Sequence, residues 1–181
     1  VDGVVKGSGP TLERGFILKI VVTADTHLKK PGQLPSRLIT ELQSADLIVH
    51  AGDWKTVDIC NELSRYGDVA GVYGNIDDDN LREQLPAKQL LNIKGFNIGV
   101  VHGHGDKKTT EKRAIEAFVD EQPDIIIFGH SHIPMIRFFK KQLLLNPGSS
   151  TDKRALPYYS FAILEIGEEI HAELIFFSDK R

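Results

Sequence analysis

The chain has 181 residues, of which 41% are hydrophobic and 26% charged, and a formal net charge of −3. That length suits one domain, and the composition excludes disordered, collagenous and coiled-coil classes. The near-balanced charge gives no basis for wrapping duplex nucleic acid or lying on an anionic membrane, and no apolar run approaches the ~20 residues that span a bilayer.

Residues 1–15 hold four glycines, a proline and no sustained periodicity. They read as a loose tail or an expression remnant, with a single domain expected over 16–181. The lone cysteine, Cys60, cannot form an internal disulfide, which fits a reducing, cytoplasmic setting.

From residue 16 the chain alternates short apolar runs with helix-like stretches. Residues 17–24 (ILKIVVTA) are short and rich in β-branched side chains, as a strand buried on both faces would be. Residues 34–45 carry apolar side chains at 34, 38, 39, 42 and 45, a helical spacing that starts near Pro35 and Ser36. Residues 46–51 (DLIVHA) form a second strand. Residues 56–66 place Val57, Ile59, Cys60 and Leu63 on one helical face. A third strand spans 69–73, and 81–85 form a short helical turn before Pro86. Residues 90–93 and 97–101 read as a hairpin around Lys94 and Gly95. Residues 107–120 read as a helix with Ala114, Ala117 and Phe118 inward, followed by a strand over 124–128 (DIIIF).

Beyond residue 133 the strand-like runs 135–139, 142–145, 160–166 and 170–177 have connections too short for helices. They are expected to run antiparallel to their neighbours. A βαβ-like first half and a β-rich second half predict an α/β fold of two mixed sheets packed as a sandwich and flanked by helices.

The chemistry lies at the carboxyl ends of the strands. ILKIVVTA leads into Asp25-Thr26-His27, and DLIVHA into Gly52-Asp53. VAGVY leads into Gly74-Asn75-Ile76-Asp77, NIGVV into His102-Gly103-His104, and DIIIF into Gly129-His130-Ser131-His132. In open α/β sheets ligands bind at this end of the strands. Singly, Asp25 or Asp53 reads equally well as a helix cap, Asn75 as a turn residue, and each histidine pair as a solvated loop. Independent loops have no reason to share polarity, position and glycine pattern, so metal coordination is the better reading. His50, within a strand, and His171, in the terminal hairpin, read as structural. Trp54, beside Asp53, could stack on a base or sugar but reads first as packing.

Asp25, His27, Asp53, Asn75, His102, His130 and His132 supply more donors than one tetrahedral zinc accepts, and none is a thiolate. Such a set suits two divalent ions ~3.5–4 Å apart sharing a carboxylate. Manganese, iron, zinc and nickel all fit these donors. His104 is a spare imidazole, placed to touch a phosphate oxygen or carry a proton.

The ordered motifs D-x-H, GD, GN, H-G-H and G-H-x-H resemble those of the calcineurin-like metallophosphoesterase family. With Asn146-Pro147-Gly148-Ser149 behind them, they are similar to its small bacterial and archaeal phosphodiesterase branch. The resemblance runs from about residue 18 to the C-terminus. It implies a two-sheet sandwich in which Asp25, His27, Asp53 and His132 hold one ion. Asp53, Asn75, His102 and His130 then hold the other, with Asp53 as the bridge. It also implies hydrolysis of a phosphodiester or phosphate ester by a hydroxide that bridges the ions, with manganese first among the metals. The catalytic set is then Asp53, Asn75 and His104. Many relatives carry His after the Gly-Asn pair, where this chain has Ile76 with no proton to give, so esters with a stable leaving group, such as aryl phosphodiesters, should be favoured unless His104 or Asp77 supplies the proton. Some proteins of this fold, such as a retromer subunit, act as assembly scaffolds, and a metal-storage or regulatory binder is a third reading. The C-terminal strand edge could pair with a second copy as a homodimer.

Overall fold

The computed structural model describes residues 16–179. The tail reading of residues 1–15 lies outside the described residues.

β1 (Leu18–Thr23), β2 (Leu47–His50) and β3 (Val69–Gly71) run parallel, and β9 (Tyr159–Ile166) and β10 (Ile170–Phe177) complete their sheet in the order β10-β9-β1-β2-β3. The second sheet is β4-β5-β6-β8-β7, built from β4 (Lys88–Ile93), β5 (Phe96–Val101), β6 (Ile125–Phe128), β7 (Met135–Phe139) and β8 (Gln142–Asn146). The predicted sandwich of two mixed sheets flanked by helices is the observed fold.

Alternate side chains explain why the sheets stack. Ile20 and Val22 of β1, Val49 of β2 and Leu164 of β9 meet Ile98 and Val100 of β5 and Ile125 and Ile127 of β6 in one core between the sheets. The opposite faces are also apolar. Val21, Ile48 and Phe161 pack under α1 (Ser36–Leu42), α2 (Val57–Leu63) and α3 (Asp79–Gln84) through Leu38, Leu42, Ile59, Leu63 and Leu81. Ile126, Phe128 and Leu144 pack under α4 (Thr110–Ala117) through Ala114 and Phe118. In β1, β2, β6, β8 and most of β9 both faces are covered, so these strands read as unbroken apolar runs. Each fully buried Leu or Ile contributes roughly 1.5–3 kcal/mol, and this, rather than helix propensity, holds helices of only 6–8 residues.

Two expectations need correction. α4 is shorter than residues 107–120: the Thr109 side chain accepts from Lys112 N–H at 3.3 Å to start it, and Phe118 leaves helical geometry at φ −121°, ψ 28°. Ala117, half-buried, packs against the same core as Ala114 and Phe118, and its carbonyl accepts from Lys88 Nζ at 2.9 Å. β8 is antiparallel to β7 but parallel to β6. The β7–β8 turn fixes only that pair, and the hairpin folds back so that β8, not β7, lies beside β6. Among the described residues no helix is long and apolar enough to cross a membrane.

Candidate metal centre

β1, β2 and β3 of one sheet and β5 and β6 of the other point their carboxyl ends toward one rim, and the five polar loops meet there. Backbone bonds stitch the loops together: Asp25 N–H donates to Gly52 O at 2.9 Å, His27 N–H to Asp53 O at 3.0 Å, and Gly129 N–H to His102 O at 3.2 Å. Asp25, His27, Asp53, His130 and His132 all have positive φ, between 51° and 67°. Non-glycine residues hold that conformation only where the surroundings impose it, and such strain collects at functional sites.

Two donor groups result. Asp25, His27 and His132 form one, and Asp53, His102 and His130 the other, each compact enough to hold an ion. In the first, Asp25 Oδ1 lies 3.9 Å from His27 Nε2 and 3.7 Å from His132 Nε2, and it is also 3.9 Å from His102 Nε2. Those separations exceed a hydrogen bond and match donors ~2.0–2.2 Å from a shared ion. Both Asp25 oxygens are buried with no hydrogen-bond partner. A buried carboxylate without hydrogen bonds is costly, and a cation there removes the cost. Burial accordingly pushes the Asp25 carboxyl up to about 7, with the Asp53 charge adding and His102 and His27 opposing.

Asp53 lies between the groups. Its Oδ2 is 3.2 Å from His27 Nε2 and its Oδ1 is 3.2 Å from His102 Nε2. Burial alone would raise its pKa, but hydrogen bonds from His102 and His27 hold it well below the usual carboxylate range. Asn75 Oδ1 lies 3.2 Å from His102 Nε2, which puts this carboxamide beside the second group.

The imidazoles are oriented from behind. His102 Nδ1 lies 2.7 Å from Ala51 O and His132 Nδ1 2.5 Å from Asp152 O, so each Nδ1–H donates to a carbonyl and each Nε2 lone pair faces the centre. Metal-ligating histidines are held in this way. His102 Nε2 then faces oxygens of Asp53 and Asn75, donating to Asp53 when protonated and offering a lone pair to a metal ion when not. Burial would lower the His102 pKa, but the Asp53 and Asp25 carboxylates outweigh it and raise it. His130 goes the other way, to about 4, through burial and the His102 charge.

Glycines make the approach possible. A Cβ on Gly74 would sit 2.1 Å from Asp53 Oδ1, and one on Gly52 would sit 2.7 Å from His102 Nδ1. Any side chain at either position would displace a donor.

The remaining sequence candidates separate. His104 is exposed at the rim, its ring 5.4 Å from that of His102 and 6.4 Å from that of His130. Ile76 is 36% exposed, and its backbone N–H donates to Asp53 Oδ1 at 3.1 Å. Trp54 is fully buried, stacked on His50 at 3.6 Å and bonded to Val72 O at 2.8 Å, so it is packing and faces no ligand. His50 is buried below the loops, between Thr26 Oγ1 at 3.2 Å and Gly52 N–H at 3.2 Å. His171 is exposed on β10, outside the centre.

Sequence reasoning treats Asp77 only as a spare acid, notes Ser149 only as part of a motif, and misses Asp152 and Thr151. Asp77 accepts from the amides of Gly74 (2.7 Å), Asp53 (3.2 Å) and Lys55 (2.6 Å), a backbone clamp. Ser149 Oγ donates to Asp25 O at 2.7 Å and Thr151 Oγ1 to Thr26 O at 2.5 Å. The detectable signal is a run of small polar residues directly after an apolar strand.

The calcineurin-like phosphoesterase superfamily domain matches residues 18–169. A probable metallophosphoesterase of Methanocaldococcus jannaschii is 36% identical over 167 residues, which is 89% of this chain and 82% of that protein. A phosphodiesterase of the same organism is 22% identical over 146 residues, 72% of this chain and 83% of its own. Vacuolar protein sorting 29 from Cryptosporidium parvum superposes with a TM-score of 0.72 at 18% identity, covering 91% of this chain and 100% of that one, and so shares the fold.

Proposed function

The chain belongs to the calcineurin-like phosphoesterase superfamily, and we propose that it is a phosphodiesterase that works with two divalent ions on small phosphate diesters. The observation that carries this reading is Asp53, whose two carboxylate oxygens each lie 3.2 Å from an imidazole of a different donor group. Asp25, His27, Asp53 and His132 hold one ion, and Asp53, Asn75, His102 and His130 the other. Bound there, two ions generate a nucleophilic water at neutral pH and neutralise charge on the phosphoryl oxygens. The carbonyls of Ala51 and Asp152 hold His102 and His132 with Nε2 forward, and Asp77 fixes the loop that carries Asp53. His104, at the rim, contacts a phosphate oxygen or moves a proton to or from the substrate. Manganese is the metal proposed first, with nickel, iron and zinc compatible with the same donors. A cytoplasmic setting, suggested by the lone Cys60, and a homodimer through a sheet edge belong to the same proposal.

A scaffold role is the second reading, favoured by the fold shared with vacuolar protein sorting 29. The complete donor set argues for catalysis, since assembly alone needs no seven converging ligands. The test is hydrolysis of bis(p-nitrophenyl) phosphate by metal-stripped protein given Mn²⁺. Turnover that depends on added metal supports the enzyme, whereas tight Mn²⁺ binding without turnover supports the scaffold.

A further inference from the structure

Arg154 reaches the centre from the segment behind β8. Its backbone has φ 52°, and its N–H donates to Asp152 Oδ1 at 3.3 Å. Two contacts hold the guanidinium: Nε is 3.4 Å from Asp152 Oδ2, and Nη2 is 3.1 Å from His132 Nε2. The second contact engages an acceptor that another partner requires. His132 Nδ1–H donates to Asp152 O, so Nε2 carries the ring's single in-plane lone pair. That nitrogen is also the donor that His132 brings to the group of Asp25 and His27. One lone pair accepts an N–H or binds a metal ion, and cannot do both.

We infer that Arg154 is a phosphate-binding arm released by metal. Its guanidinium contacts His132 Nε2, gives way when a divalent ion takes that nitrogen, and then contacts a non-bridging phosphate oxygen of the substrate. This rests on the two-ion reading above. The Arg154 side chain is 59% exposed, so its departure disrupts no packing. Like charges favour the exchange, because a cation on Nε2 repels the guanidinium. Asp152, whose Oδ2 also lies 3.5 Å from His27 Nδ1, stays beside Nε as a tether that keeps the arm at the rim. A guanidinium fork matches two phosphoryl oxygens, a geometry an ammonium lacks. The other two arginines near the rim are already engaged with backbone. Arg82 donates to the carbonyls of Asp77 (2.9 Å) and Asn75 (2.8 Å), and Arg113 donates to Gly103 O at 2.7 Å.

The test uses the full chain, stripped of metal, as wild type, Arg154→Ala and Arg154→Lys. Calorimetry first measures Mn²⁺ binding, then inorganic phosphate binding to the Mn²⁺-loaded protein. Removing the competing guanidinium should tighten Mn²⁺ binding about threefold or more, and losing the arm should weaken phosphate binding about tenfold. Arg154→Lys should fall between wild type and Arg154→Ala for phosphate, since it keeps charge without the fork. Weaker Mn²⁺ binding in Arg154→Ala would overturn the inference by making Arg154 a support for His132. Tighter Mn²⁺ binding with unchanged phosphate binding would overturn the arm. If wild type binds two Mn²⁺ and Arg154→Ala changes neither measurement, Arg154 has no such role and the two-ion reading stands. If wild type binds no Mn²⁺, the two-ion reading fails and this inference fails with it.

Discussion

The carboxylate of Asp77 accepts the backbone N–H of Asp53 at 3.2 Å, and so fixes the residue between the two donor groups from behind. The same carboxylate takes the amides of Gly74 and Lys55, tying the loops after β2 and β3 into one unit. Asp77→Asn keeps the shape but turns an N–H₂ toward a backbone N–H, leaving buried donors unpaired at a cost of about 1–3 kcal/mol. The variant should melt several degrees lower than wild type and lose about tenfold or more in metal-dependent turnover. Normal turnover with a lowered melting point would make Asp77 a stability residue alone.

Metal uptake should release a proton. In the metal-free chain burial holds the Asp25 carboxyl at about 7, above its ordinary value of 3.8. A carboxyl raised in the folded state favours the fold at low pH, and that contribution is lost as pH rises from 3.8 through about 7. A divalent ion requires the carboxylate, so below about pH 7 it must first displace the proton. Mn²⁺ affinity should therefore fall as pH drops from about 8 to about 6, by up to tenfold per unit at the acid end. Calorimetry in two buffers of different ionisation enthalpy counts the protons, and zero release at about pH 6 would contradict the assignment.

The side chain at position 76 should set the choice of leaving group. General acid help is worth about 10²–10⁴-fold and matters most for basic leaving groups, and Ile76 has no proton to give. A plot of rate against leaving-group pKa across phosphodiesters should fall steeply for wild type and flatten in Ile76→His. A shallow wild-type plot would identify another acid, and His104→Ala should then steepen it. If neither substitution moves the slope, leaving-group protonation does not limit the reaction.

The inner strands are readable because cover on both faces makes them unbroken apolar runs, and the donors because each stands just after such a run. The start of α3 is less readable. Its first turn begins inside the run Asp77-Asp78-Asp79-Asn80, where no apolar spacing signals a helix, and the cap is Asp78 Oδ1 accepting from Leu81 N–H at 3.0 Å. The parallel pairing of β8 with β6 is hidden for another reason: turn residues report which strands are consecutive, not which lie side by side. Asp77 and Asp152 escape because most of their hydrogen bonding is to chain 20 or more residues away, which leaves no local pattern.

The most direct measurement concerns Asp53. Metal content of Asp53→Asn, taken alongside phosphodiester turnover and a melting curve, tests whether one carboxylate serves both ions. A carboxamide keeps the shape but offers a single neutral oxygen, so both ions should bind about tenfold or more weakly and turnover should vanish while the fold survives. His171→Ala, exposed on β10, should match wild type throughout. Two tightly bound ions and a near-normal rate in Asp53→Asn would contradict the shared carboxylate on which the account rests.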